Sequence, residues 1–406
     1  MERRVVITGL GIWSCLGTNL DEVRQSLYSG KSGIIFSQAR KDAGFRSALC
    51  ADVPKADLKK YLSRDLRKLM PEEAQYGYLA TIQAMEHAKL DQDFLDQNEV
   101  GVIYGNDSVA EATMTALDKF RQAGSTAACG SGAIFQSMNS TVTMNLATLL
   151  HLRGINLTAS AACASGSHSV GLSYLLIKDG LQDCIICGGA QEANMFSVAS
   201  FDGLMAFSTR EDEPTKASRP FDRDRDGLIP GGGAATLVLE SYEHAVKRGA
   251  PILAEIVGWG FSGNGDHIST PNVAGPTRSL ELCLKNGGIN PRDIGYINAH
   301  ATSTHAGDGR EALAIANIFG DYRVPVTSTK SQTGHEMWMA GASELIYSIL
   351  MMKNDFIGGS LNFENPDEDT ACINVIPETR EAHFDMFLSN SFGFGGTNSS
   401  LIIKNL

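Results

Sequence analysis

SAACASGSHSVG (Ser160–Gly171) stands where a strand-like run, INLTAS (155–160), gives way to a helical pattern over Ser165–Asp179. A junction of this kind, built from Ala, Ser and Gly, is what an α/β chain uses where a strand hands over to a helix. Cys163 in its middle has two readings. Free cysteine is among the most buried residue types, which makes it a structural core residue. Small neighbours also let a carbonyl approach the sulfur, which makes it a nucleophile. If the helix begins near Cys163, unpaired N–H groups and the positive helix end favour thiolate, against a free thiol titrating at about 8.5. His168, five residues on, lies roughly 140° around the helix and reads as scaffold.

The rest of the chain repeats the alternation. Strands are expected at Arg4–Gly9, Val100–Tyr104, Ile155–Ser160, Asp183–Gly188 and Ala234–Leu239. A second set is expected at Leu253–Trp259, Ile294–Ala299, Val326–Thr329, Ile373–Pro377 and Leu401–Lys404. Helices are expected at Leu20–Tyr28, Pro71–Ala88, Ser165–Asp179, Glu311–Phe319 and Ala342–Lys353. A helix ending at Gly249 separates the sets, dividing the chain into 1–250 and 251–406. No flexible linker intervenes, so the halves are expected to pack as one rigid body. Cys163 ends a strand in the first half and His300 ends one in the second, which hints at a duplicated architecture.

Composition narrows the function. The 406 residues are 43% hydrophobic and 20% charged, in the range of globular proteins. The formal charge of −12 argues against a nucleic-acid footprint, which needs a basic face. Eight cysteines without framework spacing read as reduced thiols of a cytoplasmic protein. No signal core opens the chain and no apolar run approaches the ~20 residues of a membrane helix.

Three motifs mislead. Gly9-Leu-Gly11 begins like a dinucleotide fingerprint, but Ser14 stands where the third glycine belongs. DRDRDG (222–227) begins like a calcium loop, but Gly233 occupies the position of the bidentate Glu. Arg223 and Arg225 are expected to neutralise its carboxylates in an ion-pair turn. Cys184-Ile-Ile-Cys187 has redox spacing inside an apolar strand, where alternation sends the two sulfurs to opposite faces.

Chemistry-bearing residues recur at the ends of elements. INAHATSTHAGDGRE (297–311) places His300 after a strand, with Thr302 and Thr304 in the loop and Asp308 and Glu311 one helical turn apart. TSTKSQTGHEMWMAGASE (327–344) carries Lys330 and His335. SNSFGFGGTNSS (389–400) sets Phe392 and Phe394 among glycines, an apolar gate on a mobile backbone.

Taken in order, Cys, His, Lys, His and GFGGTN resemble the β-ketoacyl-acyl carrier protein synthases, the condensing enzymes of fatty-acid and polyketide synthesis. The likeness runs from VVITGLGI to NSFGFGGTNSSLIIK and includes ASRPFDRDRDG and STKSQTGH. It is similar to the elongating, two-histidine synthases I and II. The resemblance implies a thiolase-like fold, two related halves in a five-layer α/β/α/β/α sandwich, and a homodimer. It implies an acyltransferase activity, decarboxylative Claisen condensation of malonyl-acyl carrier protein with an acyl group on Cys163. The backbone N–H groups of Cys163 and Phe394 would form the oxyanion hole, and His300 and His335 would stabilise the enolate. Lys330 would hold the network behind His335, with Glu311 and Asp308 as its acidic supports. No metal or redox cofactor is required. Acidic acyl carrier protein, in acyl and malonyl forms, is the implied partner, with Arg64, Arg67, Lys68 and Arg210 as docking contacts.

Three departures bear on the substrate. Ala301 replaces the glycine usual after the first histidine, and the bulky Glu336-Met337-Trp338-Met339 replaces small residues after His335. Asn106-Asp107-Ser108 replaces a glycine-rich stretch beside the acyl tunnel, which suits a shorter or less saturated chain. A specialised polyene or polyketide synthase is therefore the alternative within the family. A non-catalytic chain-length partner would lack the nucleophile, and a degradative thiolase would carry a second cysteine near its C-terminus.

Overall fold

The computed structural model describes residues 3–406. The first half contributes strands β1 (Val5–Trp13), β2 (Val100–Gly105), β3 (Asn156–Ala159), β4 (Cys184–Gln191) and β5 (Gly233–Ser241). The second contributes β6 (Ala254–Gly263), β7 (Tyr296–Asn298), β8 (Pro325–Thr327), β9 (Met386–Gly393) and β10 (Thr397–Asn405). Hydrogen bonding orders them β3-β2-β4-β5-β1 and β8-β7-β9-β10-β6. Each half therefore runs third, second, fourth, fifth, first. In each, the first two pairings are parallel and the last two antiparallel. The duplication hinted at by Cys163 and His300 is present in the topology. The halves meet where β1 pairs with β6, from Val5↔Ile256 to Ile7↔Ala254.

Alternating side chains sort into three apolar clusters, because successive strand residues face opposite ways. Val102, Ile186 and Val238 cover helices α1 (Glu72–Ala88) and α2 (Thr141–Leu149). Their neighbours Ile103, Ile185 and Leu237 turn inward, joining Ile256, Phe387 and Leu401 around α3 (Ser165–Lys178) and α6 (Ala340–Lys353). Ile297, Leu388 and Ile402 face α4 (Ala274–Gly287) and α5 (His305–Phe319) on the far side. The result is helix, sheet, helix, sheet, helix. The middle layer is shared by both halves.

The misleading motifs find structural roles. A Cβ on Gly9 would lie 2.2 Å from the Ala84 carbonyl, and one on Gly11 1.9 Å from that of Ala80. These glycines let α1 press on β1. Cys184 and Cys187 lie in different clusters on opposite faces of β4, and all eight cysteines are free. Buried Asp222 accepts from the backbone N–H groups of Asp224, Glu364 and Asn365 and from Arg219. Arg219 is thus its cationic partner, while Arg223 lies 3.6 Å from Asp224 within the turn as expected. Arg225 instead donates to Asp367 and to the carbonyls of Asp222, Thr304 and His305, clamping the loop after His300. Among the described residues no helix is long and apolar enough to cross a membrane.

Candidate active site

Cys163 occupies a one-turn 3-10 segment, Ala162–Ala164, directly before α3. Ala162 adopts φ +46°, a left-handed conformation that costs a non-glycine residue energy unless its surroundings enforce it. They do: its N–H donates to Asp107 Oδ2 at 3.0 Å, and its carbonyl accepts from Ser165 Oγ at 2.7 Å. The end of β9 abuts this turn. A Cβ on Gly393 would stand 3.0 Å from the Ala161 carbonyl and 3.1 Å from the Cys163 nitrogen, so glycine permits the approach. That approach aims the Phe394 N–H at the sulfur beside the N–H of Cys163 itself.

The thiol departs from the sequence expectation. Burial pushes Cys163 up to about 11, against the Lys330 charge and the two N–H groups, which pull it down. Desolvation of the anion outweighs them in this closed pocket. The resting group is a thiol whose proton must leave as the sulfur attacks.

His300 follows β7, and its turn is strapped from α5. Glu311 accepts from the backbone N–H groups of His300 (2.9 Å) and Ala301 (2.7 Å) and from Asn390 Nδ2. Asp308 accepts from the N–H groups of Thr302 and Thr304, while the two threonine hydroxyls lie 3.2 Å apart. His335 is fixed by backbone pairing: its N–H donates to Ile229 O at 2.6 Å and its carbonyl accepts from Gly231 at 2.7 Å. The two imidazoles stand edge to face, 5.3 Å between centroids, and Phe392 lies 5.9 Å from His300. Burial, and then the Lys330 charge, hold both well below the usual imidazole range, so both are neutral near pH 7. Nδ1 of His300 and both ring nitrogens of His335 are buried without a protein partner. An unpaired buried polar atom costs ~1–3 kcal/mol, and a ligand oxygen would relieve it.

Lys330 corrects another expectation. Its Nζ pairs with Glu344 on α6, both fully buried, while Glu311 meets the Lys330 charge through space rather than in an ion pair. Glu311 and Asp308 are occupied by backbone N–H groups of the His300 loop, and Asp308 also faces Arg225 at 3.8 Å. Lys330→Ala is expected to lower unfolding free energy by ~3–5 kcal/mol, because it strands a buried carboxylate. Denaturant titration reads this loss, and combining Lys330→Met with Glu344→Leu should recover much of it.

These groups converge on one cavity of about 300 Å³, lined by Cys163, His300, His335, Phe392, Phe394 and Thr302 among others. Thr304, Glu311 and Arg310 also border it, Arg310 being a cation that sequence reading passed over. His168 is turned away, its Nε2 3.0 Å from Thr397 Oγ1, and burial lowers it to about 4. Arg64, Arg67 and Lys68 lie on or beside the short helix Arg64–Arg67; Lys68 pairs with Asp65 and Arg67 donates to the Leu62 carbonyl. Arg210 donates to the Asp224 carbonyl. None of the four lines the cavity. Among the described residues no cluster of His, Cys, Asp and Glu is arranged to hold a metal ion.

The duplicated half-sheets, a buried thiol under two N–H donors and a pair of neutral histidines define an acyltransferase-type condensing enzyme of thiolase-like fold. Residues 2–245 match the family description "Beta-ketoacyl synthase, N-terminal domain" and residues 253–364 the C-terminal domain of the same family. The chain belongs to the β-ketoacyl synthase family. It is 41% identical to 3-oxoacyl-(acyl-carrier-protein) synthase 1 of Haemophilus influenzae, over 99% of each chain. A crystal structure of a beta-ketoacyl synthase from Burkholderia phymatum superposes with TM-score 0.95 at 37% identity, covering 100% of both chains. A type II PKS ketosynthase, solved with its acyl-carrier protein and bound to the hexaketide, matches with TM-score 0.90 at 27% identity, again over 100% of both chains.

Proposed function

We propose that the protein extends an acyl chain carried on Cys163 by two carbons taken from malonyl-acyl carrier protein, releasing CO2 and a β-ketoacyl-carrier protein. The observation that carries this reading is the meeting of a buried thiol and two neutral histidines, with unpaired ring nitrogens, at one cavity. The Cys163 sulfur attacks the acyl thioester, the C–S bond to the carrier breaks, and the Cys163 thiol proton leaves on the carrier sulfur, which departs as its thiol. The N–H groups of Cys163 and Phe394 receive the tetrahedral oxyanion, each such donor typically contributing ~2.7–4 kcal/mol. Malonyl thioester then binds with its carbonyl oxygen toward His300 and His335. The C–C bond to the carboxylate breaks, CO2 leaves, and the electron pair becomes an enolate that the imidazole N–H groups stabilise. Its carbon attacks the acyl-enzyme carbonyl and the Cys163 sulfur leaves. Lys330 positions this pair and biases both rings toward neutrality.

Residues 1–250 and 251–406 serve as the two halves of the site. Acyl carrier protein is the partner, docked through Arg64, Arg67, Lys68 and Arg210; the ketosynthase complex with its carrier protein supports the partner class. A homodimer is supported by β3, an edge strand of the sheet, which presents Leu157 (44% exposed) in one groove with Met138. An edge strand with an apolar face needs cover. Eight free thiols fit a cytoplasmic setting.

Incubation with malonyl-carrier protein and a series of acyl-carrier proteins, with products read by mass, tests the reading. The expected product is the acyl chain longer by two carbons and bearing a β-ketone. Malonyl consumption without an extended product would overturn it. The preferred chain length and unsaturation of the primer separate fatty-acid elongation from a specialised polyene or polyketide pathway.

A further inference from the structure

Resting on that reading, we infer that Trp338 is the residue that limits the length of the acyl chain held on Cys163. It lies in the one-turn segment Met337–Met339, between His335 and α6, and is 6% exposed. Its side chain shares one apolar cluster with Cys163, Val198, Phe207, Leu228 and Met337, against which Ala162 and Phe201 also pack. The cavity that reaches Cys163 is bounded by Phe201, Leu204, Ile268 and Phe394, and Trp338 does not line it. Phe201 and Leu228 border both the cavity and this cluster, so the indole stands directly behind the cavity wall. A carrier-borne thioester arrives through the cavity, so an apolar chain transferred to the sulfur must lodge among the cluster residues.

The indole is held in place. Its Nε1 lies 3.3 Å from Ser108 Oγ, and its ring stands 6.3 Å from that of Phe201, tilted by 50°. Ser108 adjoins Asp107, whose carboxylate holds the nucleophile turn through the Ala162 N–H. The Trp338 backbone cannot retreat either. Its carbonyl is so near Gly166 and Gly189 that a Cβ on them would meet it at 2.9 and 2.5 Å. A tryptophan tied to the loop that fixes the nucleophile, on a backbone wedged between α3 and β4, is a rigid wall. Deeply packed interiors yield little to added methylenes.

The test measures Cys163 acylation by intact mass, with acetyl-, hexanoyl-, decanoyl- and myristoyl-carrier protein, in wild type and in Trp338→Ala. Wild type should load the shorter chains and lose rate steeply toward the longer ones. In Trp338→Ala the ratio of decanoyl to acetyl loading should rise roughly tenfold or more, since each methylene that finds apolar room contributes about fourfold. Trp338→Met, which keeps an apolar filler, is read the same way if the alanine variant does not fold, with a smaller rise expected. A chain-length profile that keeps its shape in the folded variant would mean Trp338 only packs the core, and sinks the inference alone. Failure of wild type to load any chain overturns the proposed function as well.

Discussion

Cys163→Ala should leave no covalent adduct after incubation with any acyl-carrier protein, and condensation should fall by a factor on the order of 10⁶, as when other enzymes lose a nucleophile. The expectation follows from uniqueness as much as from chemistry. Seven other cysteines are present, but none of them lines the cavity that brings a thiol to two histidines. Cys184, Cys187 and Cys283 are fully enclosed, and burial pushes each thiol up; Cys283 also has backbone hydrogen bonds with Gly260 and Ile402, but it faces neither the cavity nor the two histidines. Intact-mass spectrometry with peptide mapping decides the matter. Loading that persists in the variant, or maps to another residue in wild type, is incompatible with the assignment.

Removing either histidine should separate the two half-reactions. In His300→Ala and in His335→Ala the acyl-enzyme still forms, because the donors to its oxyanion are backbone groups. Decarboxylation and condensation should each drop by ~10²–10³, the usual consequence of deleting one donor to a developing anion. The two losses should not multiply in the double variant, since both rings serve one oxygen. Acyl-enzyme prepared in advance and then mixed with malonyl-carrier protein gives the rate directly. Equal loss of loading and condensation would place the histidines in the first half-reaction instead. The pH profile adds a check. Both imidazoles are held well below 6.5, so the wild-type rate should not fall through protonation of these rings as pH drops from 7 to that value.

Much of this site was readable from sequence because its residues stand at junctions. Cys163, His300, Lys330 and His335 each follow a strand end or precede a helix, and Phe394 sits among glycines whose positive φ angles, +76° at Gly395 and +71° at Gly396, the structure requires. What escaped was masked by polarity in the interior. β9 does not read as a strand because Ser389, Asn390 and Ser391 interrupt its apolar run; Asn390 is satisfied there by Glu311 and Ser400. The start of α5 at His305 is hidden by Gly307 and Gly309, which carry poor helix propensity. Glu344 lies fourteen residues from Lys330 across a turn, so no periodicity links them. The clue was local: one carboxylate in the apolar helix AGASELIYSILMMK must have a buried partner. The acidity of Cys163 was misjudged because its position before a helix is written in the sequence while its desolvation is not.

The shared middle layer has a consequence for how the chain assembles. Helices α3 and α6 come from different halves yet bury their apolar faces in a common cluster between the two half-sheets. Cut apart near Gly249, each piece would leave one face of its sheet and one face of its helix in water. Neither half therefore owns a complete core, and unfolding should engage both in a single cooperative event. The reaction chamber exists only once that event has run in reverse, so a partly folded chain holds no half-built catalyst.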